Sequence, residues 1–433
     1  MSLVPQSLAL TLGLLVSVSA AFVHATEAPF EPWKTSADPV AKMWERVCNG
    51  RTKLDVSDQK AWVLSALHEL GVPEESQVLV FSKTSLQTKL ISPQTPRSVF
   101  FNEETYVGWV PGGLIELIGI DPVQGPQFYT MSLPSKAVRP VLEKSEQCLS
   151  CHEGSRTDNV KGMMVRSMYV DADGQPIFQY GSFLSGHESP LSERWGGWYV
   201  TGRSGRDQHM GNIFTASGAD GQPQLDRSKG TNILSLDRFF DTKPYVEKTS
   251  DIVALMVLEH QCTMHNRFTE AGKAAREAMA RQKDLQKAFG EPITNVPQGT
   301  ALSIIQSEAG KVVRHLLFCG EYPLQDGGIE GGAAFQDAFR KNRHETADGR
   351  SLKDFQLLHR LFKNQCSYMI YSKSFEALPA PLKNEIYTQL WRVVSGQDQN
   401  KDFNHLSASE RQYIREIIAE TKSDLPACWK AKA

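Results

Sequence analysis

The chain has 433 residues, with 47 Lys and Arg set against 49 Asp and Glu, for a net charge of −2. That balance gives no case for nucleic acid or an anionic membrane surface as a partner. At 40% hydrophobic and 22% charged residues, the chain is neither disordered nor fibrous; it can bury a large core, and its length suggests two domains.

Residues 1–25 carry no charged side chain, and residues 8–18 are an almost unbroken apolar run. Val23-His24-Ala25 offers small residues where a signal peptidase reads, which places cleavage before Thr26; Val18-Ser19-Ala20 is a second candidate. No Lys or Arg precedes the apolar run, so retention as an uncleaved anchor is the competing reading, although the run is short for a spanning helix. Cleavage predicts a periplasmic or secreted protein with no membrane span after signal removal.

Two helical patterns follow, at 39–48 and 58–70, the second stopped by Gly71 as a C-cap. The period then shortens. Residues 77–81, 98–101, 106–110, 114–120 and 127–131 are short apolar or alternating runs punctuated by turn residues such as Pro111-Gly112-Gly113, and read as strands.

Cys148-Leu149-Ser150-Cys151-His152 comes next, placed by its pattern on a short helix starting near residue 141. Cys-x-x-Cys-His is the attachment pattern for a c-type haem: two thiols three positions apart meet two vinyl groups, and the next His binds the iron. A zinc site needs a second ligand pair at tight spacing, and no second Cys-x-x-Cys exists. A redox dithiol wants a preceding βαβ pattern, which is not seen. A structural loop that carries two Cys is the bland alternative. The expectation is one covalent haem c held by Cys148, Cys151 and His152, with His152 as the proximal iron ligand.

Beyond the motif, residues 162–170 and 175–183 read as strands around a turn at 171–174, and 195–201 and 212–216 look similar. Asp171-Ala172-Asp173-Gly174 resembles part of a calcium loop but lacks the later Glu, so a plain turn is preferred. Residues 181–214 hold the densest set of candidates for the sixth iron position: His187, His209 and Met210. Of these, Met210 and His209 are the foremost. Met163 and Met164 lie too close behind His152 and read as strand residues. Trp195, Trp198 and Tyr199 are able to wall a porphyrin, and Arg194, Arg203 and Arg206 to pair with its propionates. Each also has an ordinary packing role open to it.

From Ser250 the pattern turns helical: 251–288 as one helix or two, then 300–318, 352–362, 380–394 and 407–421, with residues 325–332 as a flexible link. His260 and His265 invite a metal reading, but five residues advance about 500° along a helix, which puts the rings on different faces. His260 and Met264 share a face and are a further route to the haem. Outside the motif, Cys48, Cys262, Cys319, Cys366 and Cys428 are an odd number, so at least one stays unpaired in an oxidising compartment; isolated Cys are most often small buried hydrophobes.

The reading is an α+β chain: a leader at 1–25, a β-rich haem-binding domain at 26–245 and a mainly α-helical domain at 246–433. It is not a simple class I cytochrome c, in which the motif opens an all-helical domain. The chain resembles a family of bacterial exported proteins described as cytochrome c domain-containing. The resemblance runs through 77–82, 106–111 with Asp121-Pro122, the haem motif, 186–190 through 194–202, 258–266 and 349–355. It implies haem binding at Cys148, Cys151 and His152 and single-electron transfer between redox partner proteins. It implies no substrate. The alternatives are a haem enzyme or small-ligand sensor with an open sixth position, and a helical interaction module for which the haem is structural. Oligomeric state is not legible.

Overall fold

Two helices and a sheet are set up by local chemistry. Asp38 caps α1 (Pro39–Cys48) by accepting from the backbone N–H groups of Val40 and Ala41, with Pro at the first turn, where a missing N–H costs nothing. Asp58 caps α2 (Gln59–Leu70), and Gly71 ends it in the left-handed conformation at φ 62°. The computed structural model describes residues 30–133, 140–218 and 221–430; the expected leader lies outside them.

Seven antiparallel strands form the sheet, in the order β6-β5-β4-β3-β2-β1-β9. They are β1 (Val78–Val80), β2 (Arg97–Phe101), β3 (Thr105–Trp109), β4 (Ile115–Asp121), β5 (Gly125–Ser132), β6 (Val141–Lys144) and, much later in the chain, β9 (Trp198–Tyr199). Period-2 alternation divides the side chains between two cores. Leu79, Phe100, Val107, Ile115 and Leu117 face α1 and α2. Val78, Val80, Val99, Phe101, Tyr106 and Ile120 face the helical half. Asp38 also accepts from the Tyr129 hydroxyl at 2.7 Å, which pins α1 to β5.

The motif helix does not begin at residue 141. Residues 141–144 are strand β6, paired with β5 so that Leu142 sits opposite Met131. Leu142 is the buried side chain of that strand, and sheet pairing satisfies its backbone where a helix would expose it. A 3₁₀ turn over Glu146–Cys148 leads into α3 (Leu149–His152). The hairpin expected next forms only in part: β7 (Arg166–Met168) pairs with β8 (Ser182–Leu184), Gly174 turns the chain at φ 79°, and Phe178–Tyr180, expected as strand, are a 3₁₀ turn. Residues 212–216 contribute only the start of a small ribbon, β10 (Ala216–Ser217) with β11 (Pro223–Gln224).

The helical half holds α4 (Ile252–Ala288), α5 (Gly299–Leu316), α6 (Ala333–Arg340), α7 (Lys373–Glu376), α8 (Ala380–Val394) and α9 (Ala408–Thr421). α4 is one unbroken helix of 37 residues capped by Asp251. Residues 352–362 are not helical. The Gln356 side-chain oxygen accepts from the N–H groups of Leu358, His359 and Arg360, and Phe355 bridges to Phe362, so a local turn outcompetes the helical period. Residues 325–332 are tied down: Gln325 N–H donates to Asp207 at 2.8 Å, Glu330 bridges Arg203, and Gly332 N–H donates to Asp251.

The change from strand-rich to helical sequence falls near residue 250 as expected, and the fold is mixed, with an antiparallel sheet first and helices after. The two halves nevertheless share a core. Val78 and Trp198 belong to the same buried cluster as the α4 and α5 side chains, and the chain from Glu31 onward is one compact unit.

Candidate functional site

His152 is the best-placed residue of the five-residue motif. Its Nδ1 lies 2.9 Å from the Gly162 carbonyl oxygen, and its own carbonyl accepts from the Gly162 N–H at 2.8 Å. Because a carbonyl only accepts, Nδ1 carries the proton and the Nε2 lone pair is left over. Ligating imidazoles are held in this way by an outer hydrogen bond. The Phe128 ring packs on the imidazole, with centroids 4.9 Å apart, and burial lowers its pKa, so the ring is neutral and able to ligate. Cys148 is half-buried and Cys151 exposed, both as free thiols. The Cys148 thiol donates to Ser145 Oγ at 3.2 Å; burial raises its pKa more than that contact lowers it.

His152 and Cys148 line a cavity of about 110 Å³ on the sheet face that looks toward α4. Its walls are Val99, Tyr106, Ile118, Phe128, Val165, Trp198 and, from α4, Leu258 and Cys262. Gly108 lies on its floor, where a Cβ would approach Glu116 and Arg97 at 3.3 and 3.5 Å. Arg97 and Glu116 form an ion pair at the rim, and Arg97 Nε is buried without a partner. Asn266 of α4 grips the backbone of Met163 in both directions, accepting from its N–H and donating to its carbonyl, each at 2.7 Å.

The expected sixth-position residues lie elsewhere. Met210 is fully buried, its sulfur accepting from Ser167 Oγ at 3.7 Å. His209 packs edge-on against Trp195, and its Nδ1 accepts from the Gly211 N–H. Neither lines the cavity. Met163 and Met164 do. They lie in irregular backbone before β7, not on a strand, because the Gly162 contacts turn the chain back over His152. Of the aromatic candidates only Trp198 reaches the cavity; Tyr199 donates to the Pro93 carbonyl. Arg194 is buried against Glu259 at 2.8 Å, and Arg203 and Arg206 pair with Glu330 and Asp326. Arg97, which no motif marks, is the cation at the rim.

No known family model matches this chain, and comparison with curated proteins and with solved structures found no match. The site therefore rests on its own geometry.

On α4, Leu258 and Cys262 face the cavity while His260, two residues from each, points to the opposite side. His260 meets His187 and His315 there, and their ligand nitrogens all lie within 4.8 Å of one another. His265 goes elsewhere, with Nε2 3.0 Å from the Glu103 carbonyl, and Met264 is buried without lining the cavity. The cluster escapes sequence reading because its members sit on a loop and two helices, 73 and 55 residues apart. His315 shows only as one more position on the buried face of α5, beside Val312 and Leu316. Cys262 and Cys366 are buried and Cys319 and Cys428 half-buried free thiols, in keeping with small hydrophobes. Among the described residues no helix is long and apolar enough to cross a membrane.

Proposed function

We propose that this protein is an exported mono-haem c-type cytochrome, akin to the cytochrome c domain-containing group, that passes single electrons between redox partner proteins in the periplasm. The observation that carries the reading is His152: a neutral imidazole with Nδ1 tied to a carbonyl and Nε2 unused, directly after two free thiols. Cys148 and Cys151 form the thioethers and His152 holds the iron, and the group when bound supplies a one-electron couple. Arg97, with its buried unpartnered Nε, is the partner for a propionate. Phe128, Trp198 and Leu258 exclude water from one side.

A cavity of about 110 Å³ is smaller than the roughly 300 Å³ at which pockets begin to enclose a whole organic ligand. A group bonded to half-buried Cys148 and exposed Cys151 is thus partly in solvent, which suits transfer to a docked partner. Met163 and Met164 line the same cavity, whereas Met210 and His209 do not.

The test is production in a host that matures cytochromes c, followed by intact mass and visible spectra. The expected product is coloured and heavier than the polypeptide by one haem. Its spectrum is six-coordinate and low-spin, indifferent to carbon monoxide and cyanide. In Cys148→Ala with Cys151→Ala, any pigment becomes extractable into acidified organic solvent. A colourless wild-type protein of bare polypeptide mass overturns the proposal. Rapid ligand binding by high-spin ferric iron replaces the carrier with the enzyme or sensor reading.

A further inference from the structure

We propose that His187, His260 and His315 bind one divalent late first-row transition ion, of the zinc or copper type, on the side of α4 opposite the cavity. Three imidazoles are the donor set that such borderline ions select over calcium or magnesium.

The arrangement of hydrogen bonds is the main support. His187 Nδ1 and His260 Nδ1 share a hydrogen bond at 3.1 Å, whose single proton an incoming ion displaces. The outer nitrogens of both rings already have oxygen partners: His260 Nε2 meets Ser367 Oγ at 2.7 Å, and His187 Nε2 lies 3.5 Å from the Cys319 carbonyl and 3.8 Å from the Glu188 carboxylate. Ligating His residues are oriented by outer oxygen partners of this kind, which leave the inner nitrogens for a metal. The third ring, His315, is nine-tenths buried, and its Nε2 has no hydrogen-bond partner. Nitrogens on adjacent corners of a tetrahedral site with bonds of about 2.05 Å stand about 3.3 Å apart; His187 and His260 already match that at 3.1 Å, and the set, which lies within 4.8 Å, closes on an ion by a shift of the third ring of about 1.5 Å at most.

The setting fits as well. The His187 carbonyl accepts from Arg194 Nη2 at 3.0 Å and from the Tyr322 N–H at 2.9 Å, so its loop is held before any ion arrives. Phe318 packs against His187 and His260, with centroids at 5.1 and 4.3 Å. Three neutral imidazoles in an apolar core, one with an unsatisfied nitrogen, are costly to bury for packing alone. Among the described residues no Asp, Glu or Cys completes the set, so the remaining position is left to water or a small ligand, as in catalytic zinc sites.

The experiment is titration of the full-length protein, stripped with chelator, with Co²⁺ and then Zn²⁺, read by the cobalt d–d bands and by metal content after desalting. One equivalent is expected in the wild type and in Cys148→Ala with Cys151→Ala and His152→Ala, which separates this site from the haem motif. His260→Gln with His315→Gln is expected to weaken affinity by roughly 100-fold or more, while His209→Gln, buried outside the cluster, leaves it unchanged. Saturating Zn²⁺ raises the unfolding midpoint of every protein that keeps the three His, and raises it less in His260→Gln with His315→Gln. Should the double variant fail to fold, His315→Gln alone is read the same way. Absence of saturable binding by the folded wild type, undiminished binding in the His variants, or loss of binding with the haem motif overturns the assignment.

Discussion

The two sides of α4 contrast in how their chemistry is encoded. On the sheet side, the reactive groups sit within five consecutive residues, and the fold supplies the wall, the rim cation and the carbonyl that sets the His152 proton. On the far side, no two of the three His are closer than 55 positions in sequence, and nothing but packing brings them together. A covalent attachment site needs a fixed local spacing that matches the group it grips. A cluster of ligands needs only converging directions, which any three elements can provide. The first kind is visible as a motif; the second becomes visible only in three dimensions.

The contrast can be broken most forcefully through the pair that holds the far side together. Arg194 and Glu259 are 2% and 0% exposed and 2.8 Å apart. Glu259→Ala strands a buried guanidinium and should cost about 3–5 kcal/mol in denaturant unfolding. It should also loosen the His187 loop that Arg194 braces, lowering Co²⁺ affinity. A loss under 1 kcal/mol would mean that Arg194 finds another partner and that the brace is dispensable.

An effect of similar size comes from acid. Burial holds His209 down to about 3 and His265 to about 4, against about 6.5 in an unfolded chain. The unfolded chain therefore binds protons that the folded one refuses. Stability from each group is complete above about pH 6.5 and is lost as pH falls toward 4, at about 1.4 kcal/mol per pH unit per His. Unfolding free energies from urea titrations between pH 7 and 4 should slope by that much less in His209→Gln. An unchanged slope would show that His209 titrates normally in the folded state.

The mildest change sharpens the comparison without touching the fold. Gly108→Val adds carbon beneath Arg97 and Glu116 on a strand that favours β-branched residues. It should reduce covalent haem loading several-fold, read from the absorbance-to-protein ratio, and leave Co²⁺ binding on the other side of α4 unaltered. Equal losses at both sites would show that they are not separated by α4 as described.

Much of the fold was legible because it is written in short-range chemistry. The helical periods of α1 and α2, Gly71 after the second, and the alternating runs of β1 to β5 placed those elements within a residue or two. Residues 141–144 were not legible, because four residues with a single buried Leu take whichever form the neighbouring edge offers, and β5 offered an unpaired edge. Residues 352–362 carried a helical period, but Gln356 can gather three N–H groups into a turn, an alternative that period alone does not weigh. Within the site, the motif foreshadows the shared cavity of Cys148 and His152, while Met210 and His209, drawn from the densest run of His and Met, do not line it.

By itself the sequence determined the strand-rich and helical halves, the caps that start the main helices, and the close spacing of Cys148, Cys151 and His152. Tertiary structure alone decided which residues share the cavity with His152, that Arg97 rather than a downstream Arg stands at its rim, and that three distant imidazoles converge behind α4. The division has one physical cause. Caps, alternation and attachment spacing act across a few bonds, whereas a cavity or a ligand cluster depends on how whole faces are packed, and packing is a property of the assembled chain.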